Sequence, residues 1–268
     1  MLTAPNLKDE AWRYADPEAL DGYQVPHTPA VECIDAEVCV IEILEPGATA
    51  RVFDIKPGGH LRHLRLAPAS LGGAAFAHGQ INVAAGATYT SQFINFAPTY
   101  VRNELHVDLN GKNAHAELQG LYLLKNRGHS DTLTRVHHRV ADTTSDEVYK
   151  GVLSDGARGV FQAQIRVAPD AQRIIGNQMH RAIVLSDQAR VDVKPELEIF
   201  ADDVQCSHGA TVGDLDAQQL FYLGSRGIAL STARALLIEA FVADMLDALP
   251  VEHAAGVRSD VSGFLRDL

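Results

Sequence analysis

Short segments in which apolar and polar residues alternate dominate the chain from about residue 31 to residue 213. Successive side chains of a β-strand point to opposite faces, so this period of two, bounded by turn residues, predicts strands. The predicted strands are 38–44, 48–55, 60–66, 88–96, 103–110, 114–124, 159–167, 182–186 and 194–200. The chain is therefore predicted to be mainly β.

The turns between these strands repeat one theme, a polar or glycine corner followed by alanine. It recurs in EPGATARV, AAGATYTS, GKNAHAEL, SDGARGVF and SDQARVDV. Glycine, asparagine and aspartate tolerate a left-handed corner, and alanine is small enough to sit inside a narrow stack of coils. With few two-residue hairpin turns present, these corners favour a right-handed parallel β-helix, and a β-sandwich is the alternative.

After Gly213 the alternation stops and helical periodicity begins. Asp216 is placed to cap a helix that runs to Arg226, with Gly227 at its end. A second helix is predicted from Ser231 or Thr232 up to Pro250, because apolar residues recur four apart. These are Leu237, Phe241, Met245 and Leu249.

Three regions follow from these patterns: a short, partly helical N-terminal segment (1–30), a β-helix core (31–213) and a small α-helical C-terminal domain (214–268). The stretch EAWRYADPEAL (10–20) is expected to form one or two helical turns. In the tail 251–268 we expect at most a short helix near VSGFLRDL.

The 268 residues carry a net charge of −11 and are 46% hydrophobic, as in an ordinary globular protein. An acidic chain is poorly suited to a phosphate backbone, so nucleic acid is not expected as a partner. No run is long and apolar enough for a membrane span, and the N-terminus shows no signal peptide. Three cysteines, Cys33, Cys39 and Cys206, fit no metal-binding spacing, and their odd number fits a reducing cytoplasm.

The stretch DDVQCSHGATVG (202–213) places a thiol and an imidazole two residues apart. On a strand, Cys206 and His208 point to the same face, where they offer two ligands to iron or zinc, or a nucleophile with its base. The simpler interpretation is a buried Cys206 and a His208 that bonds a turn carbonyl. Asp202 and Asp203 are adjacent and face opposite ways, so closing a turn suits them better than acid–base catalysis.

A second histidine cluster lies in RGHSDTLTRVHHRV (127–140). Strand alternation puts His129, Asp131 and His137 on one face and His138 on the other. Such a set resembles a group of metal ligands, but on a β-helix wall polar ladders and interfaces are the more frequent use. Both interpretations stay open at this point.

The run KPELEIFADDVQCSHGATVGDLDAQQLFYLGSRGI (194–228) resembles the signature of SufD-like iron–sulfur cluster assembly proteins, in the SufB/SufD family. Upstream, ELHVDLNGKNAHAELQGLYLL, HSDTLTRVHH and YKGVLSDGARGVFQAQIRVAPDAQ follow the same family in order. SufB-like members are similar but carry His-Glu-Ala-Thr where this chain has His208-Gly209-Ala210-Thr211. The resemblance is therefore to the SufD-like branch.

This resemblance implies a non-catalytic scaffold that pairs with SufB through the β-helix and docks the ATPase SufC through its C-terminal helices. It implies a transient iron or iron–sulfur cluster site shared with SufB, with His208 as the metal ligand and Cys206 auxiliary, and no cofactor held stably by the isolated chain. A homodimer of the isolated chain is expected. The implied SufC-docking residues are Phe221, Tyr222, Arg226, Arg234 and Phe241.

Two departures from the family pattern matter. Family members have a longer helical N-terminal region, whereas here β segments begin soon after Glu10-Ala11-Trp12-Arg13-Tyr14. The stretch RIIGNQMHRAIVLS keeps Gln178 and Arg181 but has His180 and Ala182 where the family tends to have asparagines.

Two other functions remain possible on the residues alone. One is a polysaccharide-acting β-helix enzyme, although 6% aromatic residues offer few sugar-stacking platforms. The other is a stand-alone metalloprotein that uses His129, His137 and His208. No segment resembles a flavin-binding fingerprint.

Overall fold

The computed structural model describes residues 8–20 and 29–266. Fourteen strands occupy the middle of the described chain, with a short helical segment before them and three helices after them. The strands are β1 (Val31–Ile34), β2 (Glu37–Ile43), β3 (Gly47–Ile55), β4 (His60–Ala67), β5 (Ala75–Val83), β6 (Thr88–Asn95), β7 (Tyr100–Leu109), β8 (His115–Leu124), β9 (His129–His138), β10 (Thr144–Leu153), β11 (Arg158–Val167), β12 (Ile174–Val184), β13 (Arg190–Ile199) and β14 (Val204–Gly213).

All strand pairs are parallel, and each strand pairs with the strand two places along the chain. The odd-numbered strands form one seven-stranded sheet and the even-numbered strands form another. Thr88 of β6 pairs with His115 of β8, which in turn pairs with Thr144 of β10. We call these the odd-strand sheet and the even-strand sheet. The chain alternates between them at every corner, which confirms the predicted parallel β-helix.

Left-handed corners stack along one edge of the β-helix. Gly58, Gly86, Asn113, Asp142 and Arg173 have φ angles of 75°, 65°, 59°, 62° and 57°. Their backbone N–H groups donate to the corner of the next coil, from Gly58 to Ala85 O through Arg173 to Asp203 O. Each corner is thus paired to its neighbour, so this ladder fixes the coil spacing outside the strands as well.

Inside the β-helix, large rings lie directly beside glycines of the neighbouring coil. Tyr149 of β10 is in register with Gly120 of β8, and a Cβ added to Gly120 would lie 2.1 Å from the ring. Tyr122 has the same relation to Gly151, where the added Cβ would lie 2.2 Å from its Cζ. At these two places the narrow interior accommodates a tyrosine ring because the adjacent coil has no side chain.

His180, which stands at a departure from the family pattern, is buried in this interior. Its Nε2 lies 2.8 Å from the Tyr122 hydroxyl, and its ring stacks on Phe161 with centroids 5.1 Å apart. Burial lowers the pKa of His180 to about 4, so its imidazole is neutral at physiological pH.

Three C-terminal helices, α2 (Ala217–Ser225), α3 (Leu230–Asp247) and α4 (Val251–Arg266), follow the last strand. The N-cap Asp216 Oδ1 accepts a 2.7 Å bond from Gln218 N, and Gly227 follows α2 with φ 83°. Apolar residues of α3 and α4 share one core cluster with outward residues of the even-strand sheet. Lys150 of β10 fastens α3 with 2.7 Å bonds to Asp244 Oδ1 and to Phe241 O.

The expectation of at most a short helix in the tail is wrong, since α4 has 16 residues. Its polar composition and two glycines conceal a stripe formed by Val257, Val261 and Phe264, which are all buried in the shared cluster. Packing of this stripe on neighbouring elements supplies the stability that intrinsic helix propensity does not. The start of α3 also differs slightly, because Ala229 is its N-cap and makes no side-chain capping bond.

The N-terminal segment lies on the outer face of the odd-strand sheet. A 3₁₀ turn spans Glu10–Trp12 and a short helix, α1, spans Pro17–Leu20, as expected for this region. The Arg102 guanidinium carbon lies 4.0 Å from the Trp12 ring centroid, and its Nη2 donates a 2.8 Å bond to Ala11 O. The rest of the predicted N-terminal segment, 1–7 and 21–28, lies outside the described residues. None of the helices described here is long and apolar enough to cross a bilayer.

Replacing Gly120 by alanine is expected to lower the free energy of unfolding by about 1–3 kcal/mol or more, because the new methyl group overlaps the Tyr149 ring. Urea denaturation measures the effect. The matched control is Gly72→Ala, where the added Cβ meets no atom within 4 Å and stability should change by less than about 1 kcal/mol. Equal stabilities of the two variants would contradict the ring-over-glycine packing.

Candidate functional site

The final strand, β14, carries the thiol and the imidazole at the end of the β-helix. It pairs only with β12, and no other described strand lies against its second edge. Cys206 stands opposite Gly176 and His208 opposite Gln178, both of which point into the β-helix. The inward face of β14 is therefore where the stack of coils stops.

Cys206 is half-buried and packs against an apolar cluster formed by Ile165, Val167, Ala171 and Ile174. Burial is the main cause that raises its pKa, partly offset by a hydrogen bond from the Gly176 backbone N–H. The thiol is therefore protonated at neutral pH, whereas a metal ligand must be a thiolate. This environment favours a supporting role for Cys206 unless a metal displaces its proton.

His208 is exposed, and its ring makes no hydrogen bond or ion pair with any residue described. The structure thus does not show the bond to a turn carbonyl that the simpler sequence interpretation gave this residue. Ser207 between the two points the other way and donates a 2.7 Å bond to Asn177 Oδ1 on the outer face. Because side chains alternate along β14, Ser207 hydrogen-bonds on the outer face while the His208 imidazole lies on the inward face, exposed at the end of the β-helix.

Three buried polar residues, Thr134, Glu147 and Gln178, are hydrogen-bonded in the interior next to the strand that carries His208. Gln178 Nε2 donates a 3.2 Å bond to Glu147 Oε1, and Thr134 Oγ1 donates a 2.5 Å bond to Glu147 Oε2. Burial raises the pKa of Glu147 to about 7, the two hydrogen bonds opposing that rise. The other end of Gln178, its Oε1, is buried without a hydrogen-bond partner in the described structure.

Sequence reasoning missed Glu147 and gave Gln178 no role in the site. A signal existed, because Glu147 and Gln178 fall on the inward parity of their strands, where apolar residues are the rule. A buried carboxyl group at such a position has to be hydrogen-bonded, so its partners become identifiable once the register is known.

Apolar side chains surround the open end of the β-helix. Val212 and Phe200 are 46% and 52% exposed, and Ile199 at the end of β13 is 37% exposed. Such a patch beside an unpaired strand edge is typical of a protein–protein contact.

The edges of the last two strands differ. Arg190 N donates to Ala157 O and Phe200 N donates to Val167 O, so even-numbered N–H groups of β13 point toward β11. Pro195 therefore takes a position whose missing N–H would face the free edge. No proline interrupts β14. The free edge of β14 is thus the better template for a further strand.

The second histidine cluster is spread over both faces of β9. Asp131 Oδ2 accepts bonds of 2.8 Å from Tyr100 and 2.7 Å from Arg102, and the His129 ring lies against Tyr100. His137 stands 3.6 Å from Asp108, while His138 points inward between Thr143 and Ser145. Across the described ranges, no three His, Cys, Asp or Glu side chains are arranged to hold a metal ion.

The structure also separates the ligand set of the stand-alone metalloprotein hypothesis. His129 and His137 occupy opposite ends of β9 in the odd-strand sheet, whereas His208 lies on β14 in the even-strand sheet. Cys33 and Cys39 are free and exposed on early coils, far along the stack from β14.

The two adjacent aspartates form a turn. Asp203 O accepts from Arg173 N, Asp203 N donates a 2.8 Å bond to Gln172 Oε1, and Val204 N donates to Asp202 O. The prediction that they close the corner before β14 is confirmed.

Residues implied in partner docking lie mainly on exposed helix surface. Phe221 and Tyr222 of α2 are 79% and 57% exposed, and the Arg226 guanidinium carbon lies 5.3 Å from the Tyr222 ring centroid. Arg234 on α3 is also exposed. Phe241 is different, since it is half-buried against the shared core and lies 5.0 Å from Lys150 Nζ.

These features define a β-helix scaffold with an incomplete end that presents one exposed imidazole and one half-buried thiol. The sequence of residues 22–241 matches the family model of the SufBD core domain, SUF system FeS cluster assembly, and the chain belongs to this family.

Three relatives illustrate the similarity. Over 221 residues, 80% of this chain and 52% of the relative, it is 35% identical to the iron–sulfur cluster assembly protein SufD of Escherichia coli (strain K12). It is 35% identical over 163 residues to a SufBD family protein of Synechocystis sp., covering 61% of this chain and 36% of the relative. It is 39% identical over 102 residues to SufD of Bacillus subtilis (strain 168), covering 38% and 23%. The chain thus spans about half the length of the Escherichia coli relative and less of the others.

Cys206 is expected to react several-fold more slowly with iodoacetamide at pH 8 than the exposed Cys33 and Cys39, because Cys206 is half-buried and burial raises its pKa. Peptide mass spectrometry over a time course measures the three rates. In denaturant the three thiols should react at similar rates. A Cys206 rate equal to the others in the folded protein would contradict the environment described above.

Proposed function

We propose that this chain is a non-catalytic scaffold subunit of SUF iron–sulfur cluster assembly that holds iron or a nascent cluster transiently at a site shared with a SufB partner. The observation that carries the proposal is the exposed His208 on a terminal strand whose second edge is free. Family membership and the SufD names of the relatives support it. ATP hydrolysis belongs to a separate SufC subunit in this proposal.

The pairing surface in this proposal is the open end of the β-helix. The uninterrupted edge of β14 offers backbone donors and acceptors to a strand of SufB, while Val212 and Phe200 supply apolar contact. Pro195 makes the β13 edge the weaker template. In the absence of SufB the same surface would pair two copies of this chain, giving a homodimer.

The site is incomplete without a partner. His208 supplies one nitrogen ligand, and Cys206 lies two residues away on the same face with its thiol protonated. Because burial keeps the Cys206 thiol protonated, the remaining ligands come from SufB in this proposal. Mixed nitrogen and sulfur ligation suits iron and a cluster that has to be released again.

Gln178 is a positioning residue for His208 in this proposal. Its side-chain N–H donates to Glu147 on the adjacent strand β10. The Oε1 atom, which has no described partner, is therefore directed toward β14, where His208 is in register with Gln178. By accepting the N–H of one imidazole nitrogen, this oxygen would fix the tautomer and leave the other nitrogen free to bind metal.

The C-terminal helices provide the SufC-docking surface in this proposal. Exposed Phe221 and Tyr222, with Arg226 and Arg234, form an aromatic and basic surface of the kind enriched at interface hot spots. Phe241 contributes by attaching α3 to the β-helix through the Lys150 contact.

Replacing His208 by alanine is expected to reduce cluster formed on the reconstituted complex with SufB and SufC by about tenfold or more, since a ligand is lost. Anaerobic reconstitution followed by visible absorption and iron and sulfide analysis measures it. The matched control is Ser207→Ala, which changes the neighbouring residue on the opposite face and should leave cluster yield unchanged.

Gln178→Leu adds a test of the positioning role within the same experiment. It keeps the volume but removes the carbonyl, so cluster yield should fall less than with His208→Ala and the pH profile of cluster loading should shift. Full cluster yield with His208→Ala would refute the assignment of the site, whatever the Gln178 variant does.

Replacing Phe221 by alanine is expected to weaken SufC binding by about 2 kcal/mol, roughly 30-fold, because Phe221 is the most exposed aromatic residue of α2. Isothermal titration of SufC into the full chain measures it. Val251→Ala is the control, a smaller truncation at an apolar residue that is 92% exposed on another helix. Unchanged affinity for the Phe221 variant would exclude α2 as the docking surface.

A further inference from the structure

A groove with a volume of about 250 Å³ lies on the outer face of the odd-strand sheet, away from β14 and from the C-terminal helices. It crosses strands β5, β7, β9 and β11, and three of its lining residues are arginines, Arg135, Arg139 and Arg166. Asp108 is the single carboxylate among the described lining residues. The groove is thus a basic site on a chain whose net charge is −11.

Strand register aligns the polar side chains of the groove in two rows. Arg135 of β9 stands between His106 of β7 and Gln164 of β11 in one row. In the next row His137 of β9 stands opposite Arg166 of β11. Arg135 and Arg166 therefore approach the groove diagonally from adjacent strands, a separation that long side chains span.

The carboxylate of the groove is already engaged. Asp108 Oδ1 accepts a 2.7 Å bond from Arg139 Nε, and Asp108 Oδ2 accepts a 3.0 Å bond from Gln80 Nε2. Asp108 thereby neutralises Arg139 and fixes its position at the side of the groove. The guanidinium groups of Arg135 and Arg166 are not bonded to this carboxylate.

Arg166 lies 3.2 Å from Glu198 in an ion pair whose side chains are 50% and 41% exposed, so this pair is weak and easily exchanged. Arg135 is exposed and makes no ion pair within the described ranges. The Gln164 side chain likewise has no hydrogen-bond partner among the residues described. The groove therefore has donors without acceptors, which is the requirement for an anion site.

The arrangement suits a phosphate group better than a carboxylate. One arginine fork satisfies a planar carboxylate with two parallel bonds, whereas a phosphate accepts bonds from several directions. Here Arg135, Arg166 and the Gln164 amide approach from two strands and two rows. The described residues that line the groove include no Phe, Tyr or Trp, so a nucleobase would find only the rings of His106 and His137 to stack on.

We propose that this groove is a binding site for the phosphate group of a small molecule, with Arg135 as its principal anchor and Arg166 and Gln164 as further donors. The site shares no residue with the cluster half-site at β14, although the Arg166 guanidinium carbon lies 5.8 Å from the Phe200 ring centroid, and it does not rest on the proposed scaffold function.

The test is isothermal titration of the full chain in a low-salt, phosphate-free buffer, with pyrophosphate as the probe. One pyrophosphate per chain is expected to bind, and Arg135→Gln is expected to weaken it about tenfold or more through loss of a charged hydrogen-bond donor. Arg127→Gln is the matched control, because it removes another exposed arginine, from a turn outside the groove. Since Arg135 has no ion pair to lose, both variants should keep the parent melting temperature.

Further arms distinguish the source of the phosphate. Inorganic phosphate and ADP are titrated in parallel, and ADP should bind no more tightly than pyrophosphate, because the described lining of the groove has no Phe, Tyr or Trp ring on which the adenine could stack. Tighter binding of ADP would support the phosphate site and identify a nucleotide as its source. Citrate that binds as tightly as pyrophosphate, an Arg127→Gln effect equal to that of Arg135→Gln, or no pyrophosphate binding would each overturn the proposal.

Discussion

Parallel hydrogen-bond pairing between successive coils is the constraint on which this structure depends. Each strand satisfies its backbone groups with the strands two places before and after it, and even the corners donate to the corner of the next coil. A coil is therefore complete only when another lies on either side of it. At β14 this succession ends, and the inward residues Cys206 and His208 have no further coil packed against them among the described residues. The last coil therefore keeps a free strand edge among the described residues, which is the feature on which the proposed pairing depends.

The two outer faces of the β-helix are used differently. On the even-strand face, an apolar part is covered by α3 and α4, with Lys150 bonded to Asp244 at the contact. The odd-strand face is polar, and the N-terminal segment covers one part of it through Trp12 and Arg102. The uncovered remainder includes the arginine-lined groove. Burial of an apolar stripe thus decides where the helices attach, and the polar face keeps unpaired hydrogen-bond donors at its surface.

Alternation and corner chemistry predicted most of the β-helix. Gly47, Gly86, Asn113 and Asp155, four of the recurring corner residues, do have positive φ angles. Arg173 takes the same conformation without such a signature, held by its ion pair with Asp142. The strands β1, β5 and β10 escaped prediction, and only the last three residues of β12 fell within a predicted strand. In β10 the inward positions include Ser145 and Glu147, which break the alternation because the interior there binds them by hydrogen bonds with His138 and Gln178.

The sequence by itself determined the kind of fold, the placing of helices after Gly213 and the fact that Cys206 and His208 share one face, because strand parity and capping are local properties. Tertiary structure decided which face that is, that Cys206 is half-buried while His208 is exposed, and that Gln178 and Glu147 stand behind them. It likewise brought Arg135 and Arg166 to one groove. These relations join residues roughly one coil apart, and only the register between parallel strands, set by packing across the whole stack, brings them together.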